Sequence, residues 1–92
     1  MIVRISTEGQ YELRGRLIAE LDEADNDILR AVEAGDEKAF RAALERVLAI
    51  VRRGRRLADH ELVESDLILP APDTTLAEAA RLFAGYPESL QS

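Results

Sequence analysis

Residues 61–75 read E-L-V-E-S-D-L-I-L-P-A-P-D-T-T, and this run decides the fold. Its apolar residues lack helical spacing, and Pro70 and Pro72 break any continuous helix, so the segment has to lie extended against a core or a partner. Leu67-Ile68-Leu69, stopped by Pro70, has the form of a short strand, because proline is tolerated at a strand end but not at its centre. Short apolar runs are ambiguous, so whether it pairs as a strand stays open at this stage.

Working outward, Met1 to Ile5 is rich in β-branched residues, Gly9 offers a turn, and Gln10 to Leu13 resumes with Tyr11 and Leu13 on one face. This spacing predicts a β-hairpin. Two strands alone are marginal in water, so the hairpin needs a helix across it, a third strand, or both. From Arg16 to about Ala34 the positions Leu17, Leu21, Ala24, Ile28 and Val32 recur every three or four residues and predict an amphipathic helix. Its other face carries Glu20, Asp22, Glu23, Asp25 and Asp27. Gly35 suits the stop of that helix and Asp36 the N-cap of the next. The second helix is expected to bury Phe40, Leu44, Val47, Leu48 and Val51 and to end at Arg52-Arg53-Gly54, where cations and glycine suit a C-terminus. Thr75 and Glu78 have capping-box spacing and predict a third, shorter helix with Leu76, Ala80 and Phe83 as its stripe and Gly85 and Pro87 at its end. The fold class expected is α+β: a small hairpin, with a three-stranded sheet left open, packed with an antiparallel helical hairpin and a short C-terminal helix.

The chain has 92 residues, the length of one domain, with 47% hydrophobic and 33% charged residues. That balance is too apolar for disorder and too charged for a membrane protein. The net charge of −6 opposes non-specific attraction to nucleic-acid phosphates or anionic lipid, and four aromatic residues, Tyr11, Phe40, Phe83 and Tyr86, give no platform for stacked bases. Cysteine is absent, which removes disulfides and thiolate chemistry. The opening residues lack a signal-peptide core, and no window reaches the ~20 apolar residues of a membrane span. A cytoplasmic location is expected.

Several residues carry chemical potential. Asp59, His60, Glu61, Glu64 and Asp66 concentrate ligand-type side chains, but their spacing matches no metal-ligand pattern, so no metal or other cofactor is expected. His60, Ser65 and Asp66 hold the ingredients of a hydrolytic triad without a nucleophile elbow, so no catalytic residue is assigned. Arg52, Arg53, Arg55 and Arg56 form the one dense basic patch. It either grips an anionic partner or complements the preceding helix dipole and faces solvent. Ile18, Leu29 and Ile50 flank the helix stripes and either widen an apolar groove or are covered by the sheet and the third helix.

Two blocks, M-I-V-R-I-S-T-E-G-Q-Y and L-V-E-S-D-L-I-L-P-A-P-D-T-T-L-A-E-A, resemble the phage-shock-protein-A-associated family, PspAA. The likeness continues through A-V-E-A-G-D-E-K-A-F-R-A-A-L and covers nearly the whole chain, as a single domain over 1–92. The resemblance implies a non-enzymatic accessory of the cell-envelope stress response. Its partner would be a PspA-like coiled-coil protein at the inner face of the membrane, which the accessory reaches only through that partner. The family supplies no catalytic residues. The partner-binding positions it suggests are Glu8, Gly9, Gln10 and Tyr11 in the first block, and Ser65, Asp66, Leu67, Ile68, Leu69 and Pro70 in the second. The competing reading is a regulatory module touching nucleic acid or a transcription factor through Arg52–Arg56. Self-association is left open.

Overall fold

The computed structural model describes residues 1–61 and 63–81. Strands β1 (Ile2–Ile5) and β2 (Gly9–Glu12) form the expected hairpin, pairing Val3 with Tyr11 and Ile5 with Gly9. Helices α1 (Arg16–Ala34) and α2 (Glu37–Arg52) follow, then β3 (Arg55–Arg56), β4 (Leu67–Leu69) and a helical segment, α3, over 76–81. The fold is α+β, and the sheet is four-stranded and mixed, in the order β3-β2-β1-β4.

Leu67–Leu69 is a strand, and it runs parallel to β1, with Val3 opposite Leu67 and Ile5 opposite Leu69. A parallel neighbour needs a long crossover, and the helical hairpin supplies it. The strand Arg55–Arg56 is a correction: the four arginines do not simply trail off a helix end, because Arg55 and Arg56 pair with Glu12 and Tyr11. Gly54 makes that docking possible, since a Cβ there would meet the Glu12 carbonyl oxygen at 2.6 Å. Close approach to β2 is therefore the reason for glycine at this position, rather than the helix stop the sequence suggests.

The helix pair is organised as the sequence reads. Gly35 sits in the left-handed region (φ 66°) and its N–H donates to the Val32 carbonyl, while the Asp36 N–H reaches Ala31. Asp36 then caps α2 by accepting from the Ala39 N–H at 3.0 Å. Asp27–Arg46 and Glu20–Arg53 bridge the two helices and step along them in opposite directions, as antiparallel packing requires. α1 buries Leu21, Ala24, Ile28 and Ala31, with Leu17 and Val32 at the margin. α2 buries Phe40, Ala43, Leu44, Val47, Leu48, Ile50 and Val51. Of the three flanking residues, Ile50 is core, Ile18 packs against it, and only Leu29 stays exposed, so the widened apolar groove on the helix pair does not form.

One face of the sheet, carrying Val3, Ile5, Tyr11 and Leu69, joins the helix stripes in a single apolar cluster. Thr75 and Glu78 form the expected capping box, each accepting from the other's backbone N–H (3.2 and 3.3 Å). Ala79 and Leu76 turn toward the core, so the buried stripe is shifted by one residue from the expected Ala80. Phe83, Gly85 and Pro87 lie outside the described residues.

Candidate functional site

The two blocks distant in sequence are neighbours in space, and the sheet is what brings them together. Gln10 is the hinge of this arrangement. It lies on the sheet face turned away from the helices, yet it is only 8% exposed. Its amide nitrogen donates to the Val63 carbonyl at 2.7 Å and to Ser65 Oγ at 2.8 Å, so the segment before β4 is laid across the outside of β2. Asp66 continues the contact: its backbone N–H donates to the Ile2 carbonyl and its carboxylate accepts from the Ile2 N–H, both at 2.7 Å. Ser6 closes the far end, donating from N–H and Oγ to the Leu69 carbonyl (3.2 and 2.8 Å). Pro70 follows directly and ends the strand.

The turn of the hairpin is held from below by a second cluster. Tyr11 Oη donates to Glu8 Oε2 at 3.0 Å, and the Arg52 guanidinium donates to both Glu8 oxygens. These contacts pull in opposite directions on the two acids. The Arg52 hydrogen bond, opposed by desolvation and aided by Tyr11, holds Glu8 below its ordinary 4.5. Burial, reinforced by the Glu8 carboxylate, pushes the Tyr11 hydroxyl above its ordinary 10.0.

The basic patch is internally engaged. Arg52 binds Glu8, Arg53 reaches Glu20 at 3.3 Å, Arg55 meets Glu12 at 3.3 Å and Glu61 at 3.7 Å, and Arg56 donates to the Glu8 carbonyl at 2.6 Å. Hydrogen bonds from Arg14 and Arg55 draw Glu12 below its ordinary value as well. Glu12 escaped sequence reading, and Glu20 was read only as part of the acidic face of the first helix, without its partner Arg53. The pairing of Glu12 with Arg55 follows only once β3 is known, and nothing in the local pattern announces β3.

The polar residues around His60 do not converge. Glu61 accepts from the Ala58 N–H, Ser65 accepts from Gln10, Asp66 is tied to Ile2, and Asp59, His60 and Glu64 are exposed. Among the described residues no group of three or more His, Asp or Glu side chains is placed to hold a metal ion. Open concave surfaces line the helix pair and the Glu12–Arg55 edge, and His60 is not among the residues that line them.

A small mixed sheet backed by a helical hairpin, with its polar side chains spent on holding two distant strands together, defines a compact α+β scaffold. The chain belongs to the PspA-associated protein family, PspAA, whose sequence model matches residues 1–90. No curated protein and no solved structure is significantly similar to it. Among the described residues no helix is long and apolar enough to cross a membrane.

Proposed function

We propose that this chain, acting as a single domain over residues 1–92, is a non-enzymatic accessory of the phage-shock-type envelope stress response. It binds a PspA-like coiled-coil protein and modulates that protein's assembly. The observation that carries this reading is the match to the PspA-associated family over residues 1–90. The side chains with chemical potential support it, because Glu8, Gln10, Ser65 and Asp66 are engaged in closing the fold rather than presented around a cavity. On this account the protein works without a cofactor at the cytoplasmic side of the membrane, and meets lipid only through its partner.

The reading as a nucleic-acid or transcription-factor module draws on Arg52–Arg56, and the geometry weakens it. Each of those arginines is directed to a carboxylate or a carbonyl of its own chain, and the net charge of −6 repels phosphate. Titration of the purified protein into full-length PspA tests the proposal by calorimetry: a saturable complex is expected, and absence of heat at tens of micromolar of both proteins removes it. A mobility shift that falls steeply with salt would instead favour nucleic acid.

A further inference from the structure

The stabilising contacts are divided unevenly along the chain. The largest fully enclosed side chains among the described residues, including Ile5, Leu13, Leu21, Phe40, Leu44 and Leu48, all lie between Val3 and Val51. Every ion pair among the described residues lies between Glu8 and Glu61. Residues 63–81, which hold β4 and α3, bury only Leu69, Thr74 and Ala79, and leave Val63 and Ile68 at 46% and 65% exposure.

The topology isolates the same stretch. In the order β3-β2-β1-β4, the chain leaves β3 at one edge of the sheet and has to reach β4 at the other, and β4 has β1 as its one neighbour. Near β3 the turn at 58–61 is closed on itself and on its own strand: the Glu61 N–H donates to the Ala58 carbonyl, and the Glu61 carboxylate accepts from the Ala58 N–H and lies 3.7 Å from Arg55. Beyond β4 the bonds are again internal, with the Thr74 N–H on the Ala71 carbonyl and the Thr75–Glu78 capping box. Between these two self-contained parts, a three-residue parallel ladder and the side chains of Gln10, Asp66 and Ser6 fasten residues 63–69 to the hairpin. Segments with few buried apolar contacts and exposed backbone hydrogen bonds are the first to open.

We infer that residues 63–81 form a detachable limb, which opens and closes in one piece on a persistent unit made of β1, β2, β3, α1 and α2. Gln10, Asp66 and Ser6 are its latches. Opening turns β1 into the edge of the sheet, because the Ile2 N–H and carbonyl and the Ser6 N–H all lose their partners on the limb. It also parts the two blocks of sequence that meet in the closed form, Ser6 and Gln10 on one side and Ser65 and Asp66 on the other. A ligand that reads a surface drawn from both blocks therefore binds the closed form alone and holds the limb shut.

Native-state hydrogen exchange of the full chain, in urea well below the unfolding midpoint, tests this. The Ser6, Asp66 and Ala79 N–H groups report on the limb, and those of Leu44 and Leu48 on α2. In the wild type the limb amides are expected to exchange together, at least about tenfold faster than those of α2. Phe40→Ala should speed exchange in α2 by about 100-fold or more and leave the limb amides unchanged, since Phe40 keeps its contacts when the limb opens. Ile28→Val, at a residue 3% exposed, is the milder core variant should Phe40→Ala not fold; it is expected to speed α2 by about 2–10-fold with the same lack of effect on the limb. Ser6→Ala, which removes one bond to the Leu69 carbonyl, should speed Asp66 and Ala79 by a common factor of about five. Limb amides that speed up in step with α2 in the core variants, or that exchange as slowly as α2 in the wild type, show a single cooperative unit and overturn the proposal. A Ser6→Ala effect confined to Asp66 shows a fraying strand rather than a limb that moves as one, and overturns it as well.

Discussion

Replacing Gln10 by alanine removes the side chain that ties the hairpin to the segment before β4. The amide donates two hydrogen bonds, to the Val63 carbonyl and to Ser65 Oγ, from a position only 8% exposed. Each is a neutral bond whose net worth is about 1 kcal/mol, so the pair contributes about 2 kcal/mol. For a domain of this size that corresponds to a fall in melting temperature of about 8–16 °C. Ser65→Ala removes one acceptor and is expected to cost about 1 kcal/mol. Because the two side chains share one bond, the double variant should fall short of the sum by about 0.5–1 kcal/mol. Urea unfolding of the four proteins measures this cycle, and hydrogen exchange reports whether Leu67 and Leu69 lose protection first. Additivity within about 0.3 kcal/mol, or a loss for Gln10→Ala below about 0.5 kcal/mol, would refute the view that Gln10 closes the sheet.

The remaining predictions follow from single contacts. Glu8 has a folded-state pKa below its ordinary value of 4.5, so its contribution is present above that value and is lost as pH falls through the lower, folded one. The melting-temperature gap between wild type and Glu8→Gln should therefore be full at pH 6 and close on acidification below about pH 4; a gap independent of pH would contradict the Arg52 contact. Asp25 has the opposite sign: desolvation, aided by Asp22, raises it above 3.8, so its charged form destabilises the fold as pH rises through the folded value. Asp25→Asn should accordingly stabilise the protein at pH 7 and have no effect near pH 3, as read by thermal melts at both. Gly54→Ala forces a Cβ to within 2.6 Å of the Glu12 carbonyl oxygen and should cost about 1–3 kcal/mol in urea unfolding, with loss of exchange protection at Leu57. Phe40→Ala, from a residue 1% exposed, should cost about 3–5 kcal/mol by the same measurement.

The helical hairpin was readable because its signals are local. Gly35 and Asp36 carry the stop and the cap within two adjacent residues, and the apolar spacing of α1 and α2 repeats over several turns. The hairpin of β1 and β2 was equally legible from its β-branched residues and Gly9. What could not be read locally was pairing. Leu67–Leu69 announces a strand but not its neighbour or direction, which depend on β1 more than sixty residues away. Arg55–Arg56 reads as a charged helix end because a strand of two arginines has no apolar alternation; only its fit against Glu12 and Tyr11 makes it one. The same non-locality governs the candidate site. Glu8, Gln10, Ser65 and Asp66 stand out as polar residues in apolar company, but the sequence cannot say that Gln10 meets Ser65 or that Glu8 meets Arg52. Val63 carries no sequence signal; it emerges from the hydrogen bond that lays it across Gln10.

The role proposed for this scaffold is to touch a coiled-coil protein and alter how it assembles. Analytical ultracentrifugation of full-length PspA, titrated with increasing amounts of this chain, measures that directly. A progressive, saturable shift in the size distribution of the PspA assemblies, with the small protein co-sedimenting, is the predicted result. An unchanged distribution with this chain sedimenting alone at every ratio would contradict it.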